Sequence, residues 1–256
     1  MSNVSAPALR YYGGKWRIAP AIIGHFPPHY CYCEPYGGGA SVLLQKEPAQ
    51  SEVYNDIESE VVNFFRVLRE RPDEFIRAIN LTPYSREEFD LAYAPADDPI
   101  ESARRFYILI WQQRHGAKGN WRGGWRFTVT TPRSQIDQWT RTDHLWQIVA
   151  RLKQVQIEHD DALNVIARYD APETLFYVDP PYVQNTRGER WRSNGYRHEM
   201  DDDAHRQLAD ALHQVVGMVV LSGYAGTLYD KLYDWQQMQL AAVDNAGNTC
   251  AEVLWI

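Results

Sequence analysis

An open, mostly parallel α/β sheet interrupted by a mainly helical insertion is the fold class that this sequence predicts. Three observations predict it. Short β-branched and aromatic runs alternate with helix-period stretches in residues 30–57 and again in 153–256, the grammar of strands joined through helices. Two of those runs end in tight turns, Glu34-Pro35-Tyr36-Gly37-Gly38-Gly39 and Asp179-Pro180-Pro181-Tyr182, as strands do where a sheet meets a ligand at its C-terminal edge. Residues 58–152 show helical periodicity instead, broken by a Gly/Arg/Trp section at 116–124. The expected division is 1–57 and 153–256 as two parts of one sheet domain, with 58–152 inserted between them.

In order along the chain, residues 30–35 (YCYCEP) predict the first strand, and 40–45 the start of a helix behind the glycine turn. Residues 52–55 predict a second strand with Asp56 at its tip. A helix follows over 58–71, with Val61, Val62, Phe64, Phe65 and Leu68 on one side. Within the insertion, 87–92, 100–113 and 134–152 are helix candidates. Sheet grammar resumes with a strand at 155–158, a helix at 161–167 and a buried strand at 174–178 (TLFYV) running into Asp179. A helix over 204–215 leads to a strand at 218–221, and 237–243 with 252–256 predict a closing hairpin.

Composition narrows the class of molecule. The 256 residues are 45% hydrophobic and 23% charged, which suits a soluble folded chain and excludes a mainly disordered one. No apolar run nears the ~20 residues of a membrane span, and residues 1–9 lack the pattern of a secretory signal. Three cysteines make no disulfide framework and fit a reducing cytoplasm. Cys31 and Cys33 are too closely spaced for a zinc or redox pair and read as strand thiols, so no metal site is expected.

A net charge of −7 excludes a generic polyanion binder, yet the charge is uneven. Between Glu101 and Asp137 there are seven basic residues and no acidic one, which leaves −14 on the remainder. Such asymmetry points to nucleic acid. Arg114, Lys118, Arg122 and Arg126 alternate there with Trp121, Trp125 and Phe127, flat groups able to stack on bases. A solvated basic helix followed by a polar hairpin accounts for the same stretch equally well.

Three constellations carry chemistry. In the Glu34–Ala40 turn, glycines allow a ligand close to the backbone; its spacing is not G-x-G-x-x-G, and Glu34 favours a cationic or zwitterionic ligand over a pyrophosphate. Asp56, at a strand tip, is placed to accept two ribose hydroxyls, or to cap the helix that follows it. In Asp179-Pro180-Pro181-Tyr182, Pro180 and Pro181 stiffen the turn and donate no N–H. The Asp179 carboxylate and the Pro180 carbonyl then form a fixed pair of acceptors matched to an exocyclic amino group, beside the Tyr182 ring. Asp201-Asp202-Asp203 reads as an acidic helix N-terminus rather than a metal site.

These motifs, in this order, resemble the Dam-type (D-P-P-Y) adenine-N6 DNA methyltransferases. The resemblance covers almost the whole chain: Arg10-Tyr11-Tyr12-Gly13-Gly14-Lys15, Glu34–Ala40, Asn55-Asp56, His159-Asp160-Asp161-Ala162, Asp179–Tyr182, Leu221-Ser222-Gly223-Tyr224 and Glu252-Val253-Leu254. It implies a Rossmann-like methyltransferase sheet with an inserted target-recognition domain, and S-adenosylmethionine as cofactor. Tyr11, Lys15, Glu34, Pro35, Gly37, Gly39, Asp56, Asp161 and Asp179 would be its contacts, with Asp160 a spare helix cap. The partner implied is double-stranded DNA, bound by a monomer or by a dimer on DNA, with the target adenine flipped out against Tyr182. Asp179, Pro180, Pro181 and Tyr182 would form the catalytic turn, needing no metal. Residues 184–200, with Arg187, Arg190 and Arg192, read as a loop closing on DNA phosphates. Gln113-Arg114-His115-Gly116 and 122–127 depart from the family's usual N-R-x-x-x-N-G recognition segment, so the target sequence does not carry over. Related enzymes acting on cytosine N4 or on a glutamine amide commonly have Ser or Asn where Asp179 stands, which favours adenine. An inactive DNA-binding relative is the remaining alternative, opposed by the intact Lys15, Asp56 and Asp179–Tyr182 set.

Overall fold

The computed structural model describes residues 2–11, 13–114, 122–129, 134–183, 197–226, 228–243 and 249–256. After the short helix α1 (Ala19–Ile23) come β1 (Cys31–Glu34) and β2 (Ser51–Asn55). Then follow α2 (Ser59–Glu70), α3 (Pro72–Leu81), α4 (Arg86–Leu91), α5 (Pro99–Gln112), α6 (Ser134–Trp139) and α7 (Asp143–Leu152). The chain returns through β3 (Val155–Glu158), α8 (Ala162–Tyr169), β4 (Thr174–Val178), α9 (Asp202–Leu212), β5 (Met218–Gly223), α10 (Tyr229–Leu232), β6 (Gln237–Val243) and β7 (Thr249–Trp255).

The strands form one sheet in the order β3-β2-β1-β4-β5-β7-β6. The first five pair in parallel, and β6–β7 is the antiparallel closing hairpin that the sequence predicts. Strand order reverses between β1 and β4, so the crevice at that switch point opens beside Glu34 and Asp179.

Alternation along the strands sorts side chains between two layers. Tyr32, Tyr54, Leu175, Tyr177, Val220 and Leu254 bury one face against helices of the 58–152 segment, in the same cluster as Phe64, Phe75, Tyr107 and Ile148. Cys33, Val53, Phe176, Val178, Leu221 and Val253 face the other way, toward Val165 and Ile166 of α8 and Leu208 and Leu212 of α9. Cys33 is buried as a strand thiol, as expected. Phe64 stacks on Tyr107 at 5.9 Å between ring centroids and meets Phe75 edge-on at 5.6 Å. Removing such a fully buried ring costs about 3–5 kcal/mol.

A buried charge cluster ties α7 to the sheet. Arg151 of α7 binds Glu52 of β2 through both terminal nitrogens and reaches the Leu43 carbonyl at 2.9 Å. Lys46 closes the cluster at 2.7 Å from Glu52.

Several expectations need correction. Residues 40–45 form a series of turns, not a helix: Ala40 has φ +53°, and the Leu43 N–H is taken by the Glu34 carboxylate at 2.7 Å. Residues 134–152 form two helices, because Trp139 Nε1 donates to the Thr82 carbonyl and Thr142 Oγ1 bonds Asn80 at 2.8 Å, which turns the chain. Helices α1, α3 and α10 were not among the helix candidates, although α3 opens with Pro72, Asp73 and Glu74, a recognisable start. At α9 the acidic triplet serves as expected, with Asp201 accepting from the Ala204 N–H at 2.8 Å.

Candidate active site

A cavity of about 320 Å³ lies at the switch point, reached by the ends of β1, β2 and β4, by residues 11 and 13–15 and by 197–200. Strand alternation places Glu34 and Asp179 on its lining and two further polar groups beside them. Glu34 (β1), Asp179 (just past β4), Ser222 (β5) and Glu252 (β7) continue the face that carries Tyr32, Tyr177, Val220 and Leu254. The result is a row of polar groups across four neighbouring strands.

Lys15 sits over that row. Its ammonium donates to both Asp179 oxygens, at 2.8 and 2.7 Å, and to the Gly13 carbonyl at 3.0 Å. It lies 3.7 Å from Glu252 Oε1 and 4.7 Å from the centroid of the Tyr182 ring. The same Glu252 oxygen accepts from the Tyr182 hydroxyl and, at 2.5 Å, from Ser222 Oγ. Burial raises the Asp179 carboxyl above the usual carboxylate range; Lys15 opposes that rise and the Glu252 charge adds to it. Tyr182 is buried, edge-on to Tyr224 at 4.6 Å, so its ring is packed inside rather than presented at the surface.

The glycine turn forms one wall. A Cβ on Gly37 would stand 2.2 Å from the Tyr54 ring, so only glycine passes there. Gly38 adopts φ +48° and donates its N–H to Asp56 Oδ2 at 2.7 Å. The other Asp56 oxygen accepts from the Glu58 N–H at 2.8 Å. Asp56 is thus a brace between the turn and the entrance to α2, whose N-cap is Glu58. Glu34 accepts from the Tyr32 hydroxyl at 2.6 Å and from Leu43 N–H, and burial pushes its carboxyl up to about 8.

Asp161 lines the cavity and also caps α8 through the Leu163 N–H at 2.8 Å. The cap is therefore Asp161 itself and not the spare Asp160, which turns away to Arg168 at 2.7 Å. Beside Asp56, Arg197 bridges Glu58 at 2.8 Å and Glu60 at 2.9 Å. Tyr11, Lys15, Glu34, Pro35, Gly37, Gly39, Asp56, Asp161, Asp179 and Pro181 all line this one cavity, whereas Pro180 and Tyr182 of the expected catalytic turn do not. Ser222 and Glu252 fall in two of the motifs that carry the resemblance, but neither receives a role from sequence, because only strand order brings them beside Asp179.

The basic insertion is less free than its charge suggests. Arg104 is held by Glu101 and Glu88, and Arg105 by Glu101 and the Ala94 and Pro95 carbonyls. Arg122 is exposed but pairs with Asp90 at 3.0 Å. Trp125 bridges to Gln113, and the Arg126 N–H donates to the Gln112 carbonyl at 2.7 Å, so 124–126 pair antiparallel with the residues that end α5. Trp125 also donates from Nε1 to Gln112 and lies under the Arg86 guanidinium. Arg114 is exposed and stacks on Phe127, 4.9 Å from its centroid. Lys118, Trp121, Arg187, Arg190 and Arg192 lie outside the described residues. Among the described residues there is no cluster fit to hold a metal and no helix long and apolar enough to cross a membrane.

The parallel sheet with its terminal antiparallel hairpin and switch-point cavity is the fold of S-adenosylmethionine-dependent methyltransferases. Within that class, the chain belongs to the D12 class N6 adenine-specific DNA methyltransferase family, whose model matches residues 11–239. It is 24% identical over 181 residues to the DNA adenine methylase of Serratia marcescens, covering 68% of this chain and 66% of that protein. To the DNA adenine methylase of Escherichia coli K12 it is 25% identical over 190 residues, covering 68% and 64%. The type II methyltransferase M1.LlaDCHI of Lactococcus lactis subsp. cremoris is 26% identical over 243 residues, covering 89% and 84%. The chain thus spans just under two thirds of the length of these two DNA adenine methylases.

Proposed function

We propose that this protein transfers a methyl group from S-adenosylmethionine to the N6 amino group of an adenine flipped out of double-stranded DNA. One observation carries most of the weight: the Asp179 carboxylate, at the end of β4, faces the same cavity as Asp56 and the Gly37–Gly39 turn. Family membership supports the same chemistry.

The cavity suits the cofactor. Gly37, packed against Tyr54, and Gly38 and Gly39 line the cavity without side chains, so a ligand meets backbone along this wall. Asp56 keeps carboxylate lone pairs beyond its two backbone bonds for the ribose hydroxyls, Asp161 stands near for the adenine, and Glu34 with Tyr11 and Lys15 surrounds the methionine portion. When bound, S-adenosylmethionine supplies a methyl group already activated on a sulfonium.

The chain's own residues do the rest. Adenine N6 is a weak nucleophile because its lone pair is delocalised into the ring. Asp179 and the Pro180 carbonyl accept its two hydrogens and stabilise the positive charge that develops on nitrogen. Pro180 and Pro181 hold those acceptors rigid, so alignment is set before the substrate arrives. Tyr182, fixed through its hydroxyl by Glu252 and packed against Tyr224, holds the turn in place behind Asp179. Residues 58–152 serve as the target-recognition portion, with Arg114, Arg122 and Arg126 on the DNA side and Trp125 shaping that surface.

The direct test is labelled methyl transfer from S-adenosylmethionine to unmethylated plasmid DNA, with RNA and protein as parallel acceptors. Label in N6-methyladenine is the expected product; label in N4-methylcytosine or in protein overturns the assignment. Sequencing DNA from expressing cells then gives the target sequence.

A further inference from the structure

The two Asp179 oxygens, which must accept from the substrate amino group, are both occupied by Lys15. Each oxygen keeps a second lone pair, but an ammonium chelated between them draws off the negative charge that must stabilise the substrate nitrogen, so Asp179 acts fully only once Lys15 releases one of them. Lys15 is nearly sealed from water, with 7% of its side chain exposed, so an ammonium that loses its partner there needs another. The next anionic oxygen is Glu252 Oε1, 3.7 Å away on β7 and itself buried. That oxygen is held in place by two hydroxyls, from Tyr182 and Ser222.

We propose that Glu252 is a positioning residue that gives the Lys15 ammonium a second seat, freeing Asp179 for the substrate amino group while keeping the lysine paired. The role rests on the methyl transfer proposed above. Glu252 contacts no reacting atom. It acts through Lys15, which moves about one ångström toward it, and through Tyr182, whose ring it fixes. A Glu at this position does more than fill space on the sheet, because its charge sets how tightly Lys15 holds Asp179.

Asp179 is faced by Lys15 from the N-terminal loop, Glu34 from β1, Tyr177 from β4, Glu252 from β7 and Tyr182 from its own turn. Among these, Glu252 adds a negative charge that disfavours ionised Asp179. Glu252→Gln keeps an oxygen to accept from Tyr182 and Ser222 but removes the charge. Single-turnover methyl transfer should then slow by about tenfold or more, equivalent to ~1.4 kcal/mol, because Lys15 stays on Asp179. The acid limb of its pH profile should also shift to lower pH, since Asp179 ionises more readily. Glu252→Asp restores the charge and should return the acid limb to its wild-type position.

A lower plateau with an unmoved acid limb makes Glu252 merely structural and overturns the role. A second measurement does not depend on the variants folding. In a crystal structure of the wild-type protein with S-adenosylhomocysteine and a duplex containing its target, Lys15 Nζ should hydrogen-bond Glu252 and have left one Asp179 oxygen. Lys15 still chelated by both oxygens, with the amino group seated, overturns the role. A wild-type protein that methylates no DNA defeats the proposed function itself, whereas an active wild type whose profile superimposes on that of Glu252→Gln defeats only the role of Glu252.

Discussion

Glu34→Gln isolates the electrostatic cost of the cavity floor. In the folded protein the Glu34 carboxyl is pushed up by burial to about 8 from an ordinary 4.5. Between those values the folded chain binds a proton that the unfolded chain has released, so stability falls as pH rises. The slope is about 1.4 kcal/mol per pH unit. The loss relative to acid conditions reaches roughly 3 kcal/mol at pH 7 and about 5 kcal/mol above pH 8. Gln is close in shape to the protonated acid and can accept from the Tyr32 hydroxyl and Leu43 N–H as Glu34 does. It has no proton to lose. The two proteins should therefore melt alike near pH 4.5, and the variant should melt about 6–12 °C higher at pH 7, at ~2–4 °C per kcal/mol. Thermal melts of both proteins across pH 4.5–8.5 measure the gap. Curves that stay parallel over that range would show that Glu34 is already ionised in the folded state, and the reasoning would fail.

Other perturbations separate binding from scaffolding. Asp179→Ala should reduce turnover by more than about a hundredfold and also destabilise the fold by about 3–5 kcal/mol, because Lys15 loses its bidentate partner; turnover above a tenth of wild type contradicts the acceptor role. Asp56→Ala removes acceptors for the Gly38 and Glu58 N–H groups, each charge-assisted bond contributing roughly 1.5–3 kcal/mol. Both melting temperature and S-adenosylmethionine affinity by calorimetry should drop, and unchanged affinity would make Asp56 a brace alone. Arg105→Ala should lower thermal stability yet leave the salt dependence of DNA binding intact, whereas Arg114→Ala should reduce that salt slope by about one. A smaller salt slope for Arg105→Ala would mean that its pairing with Glu101 gives way on DNA.

Sequence was most informative where one residue type had few alternatives. The TLFYV run became β4 at the same boundaries, because a short β-branched and aromatic run that ends at Asp179 and a double proline suits a strand covered on both faces. Asp56 at the tip of β2 and the 37–39 glycines were legible for a similar reason: the turn tolerates no side chain at 37. What could not be read was long-range. The helix expected at 40–45 looks locally sound, and it is lost because Glu34, on the preceding strand, captures the Leu43 N–H. The break at Thr140–Thr142 depends on Thr82 and Asn80, which only tertiary packing brings near. Glu252 and Ser222 join the site through strand order, with β7 reaching it across β5. Charge counting misled in the insertion for the same reason, since Glu101, Glu88 and Asp90 stand outside or at the edge of the basic stretch yet fold back onto its arginines.

That accounting of partners bears on which ligand the cavity accepts. Arg151 and Lys46 are consumed by Glu52, and Arg197 by Glu58 and Glu60. Lys15 is left to balance Asp179, with Glu252 and Glu34 close behind on the same sheet face. Asp56 is held by backbone N–H groups alone, which stabilise a carboxylate without cancelling its charge. The floor therefore carries more negative character than its cations offset, and burial, with the Asp179 charge adding to it, keeps Glu34 protonated at neutral pH. A pyrophosphate brought to the Gly37–Gly39 turn would meet this field at close range and be repelled. A ligand with a sulfonium and an ammonium would be drawn in, and its charge would favour ionised Glu34, releasing a proton as it binds. The same glycine turn that in other α/β proteins receives a phosphate is thus set here, by one strand-end glutamate, for a cation.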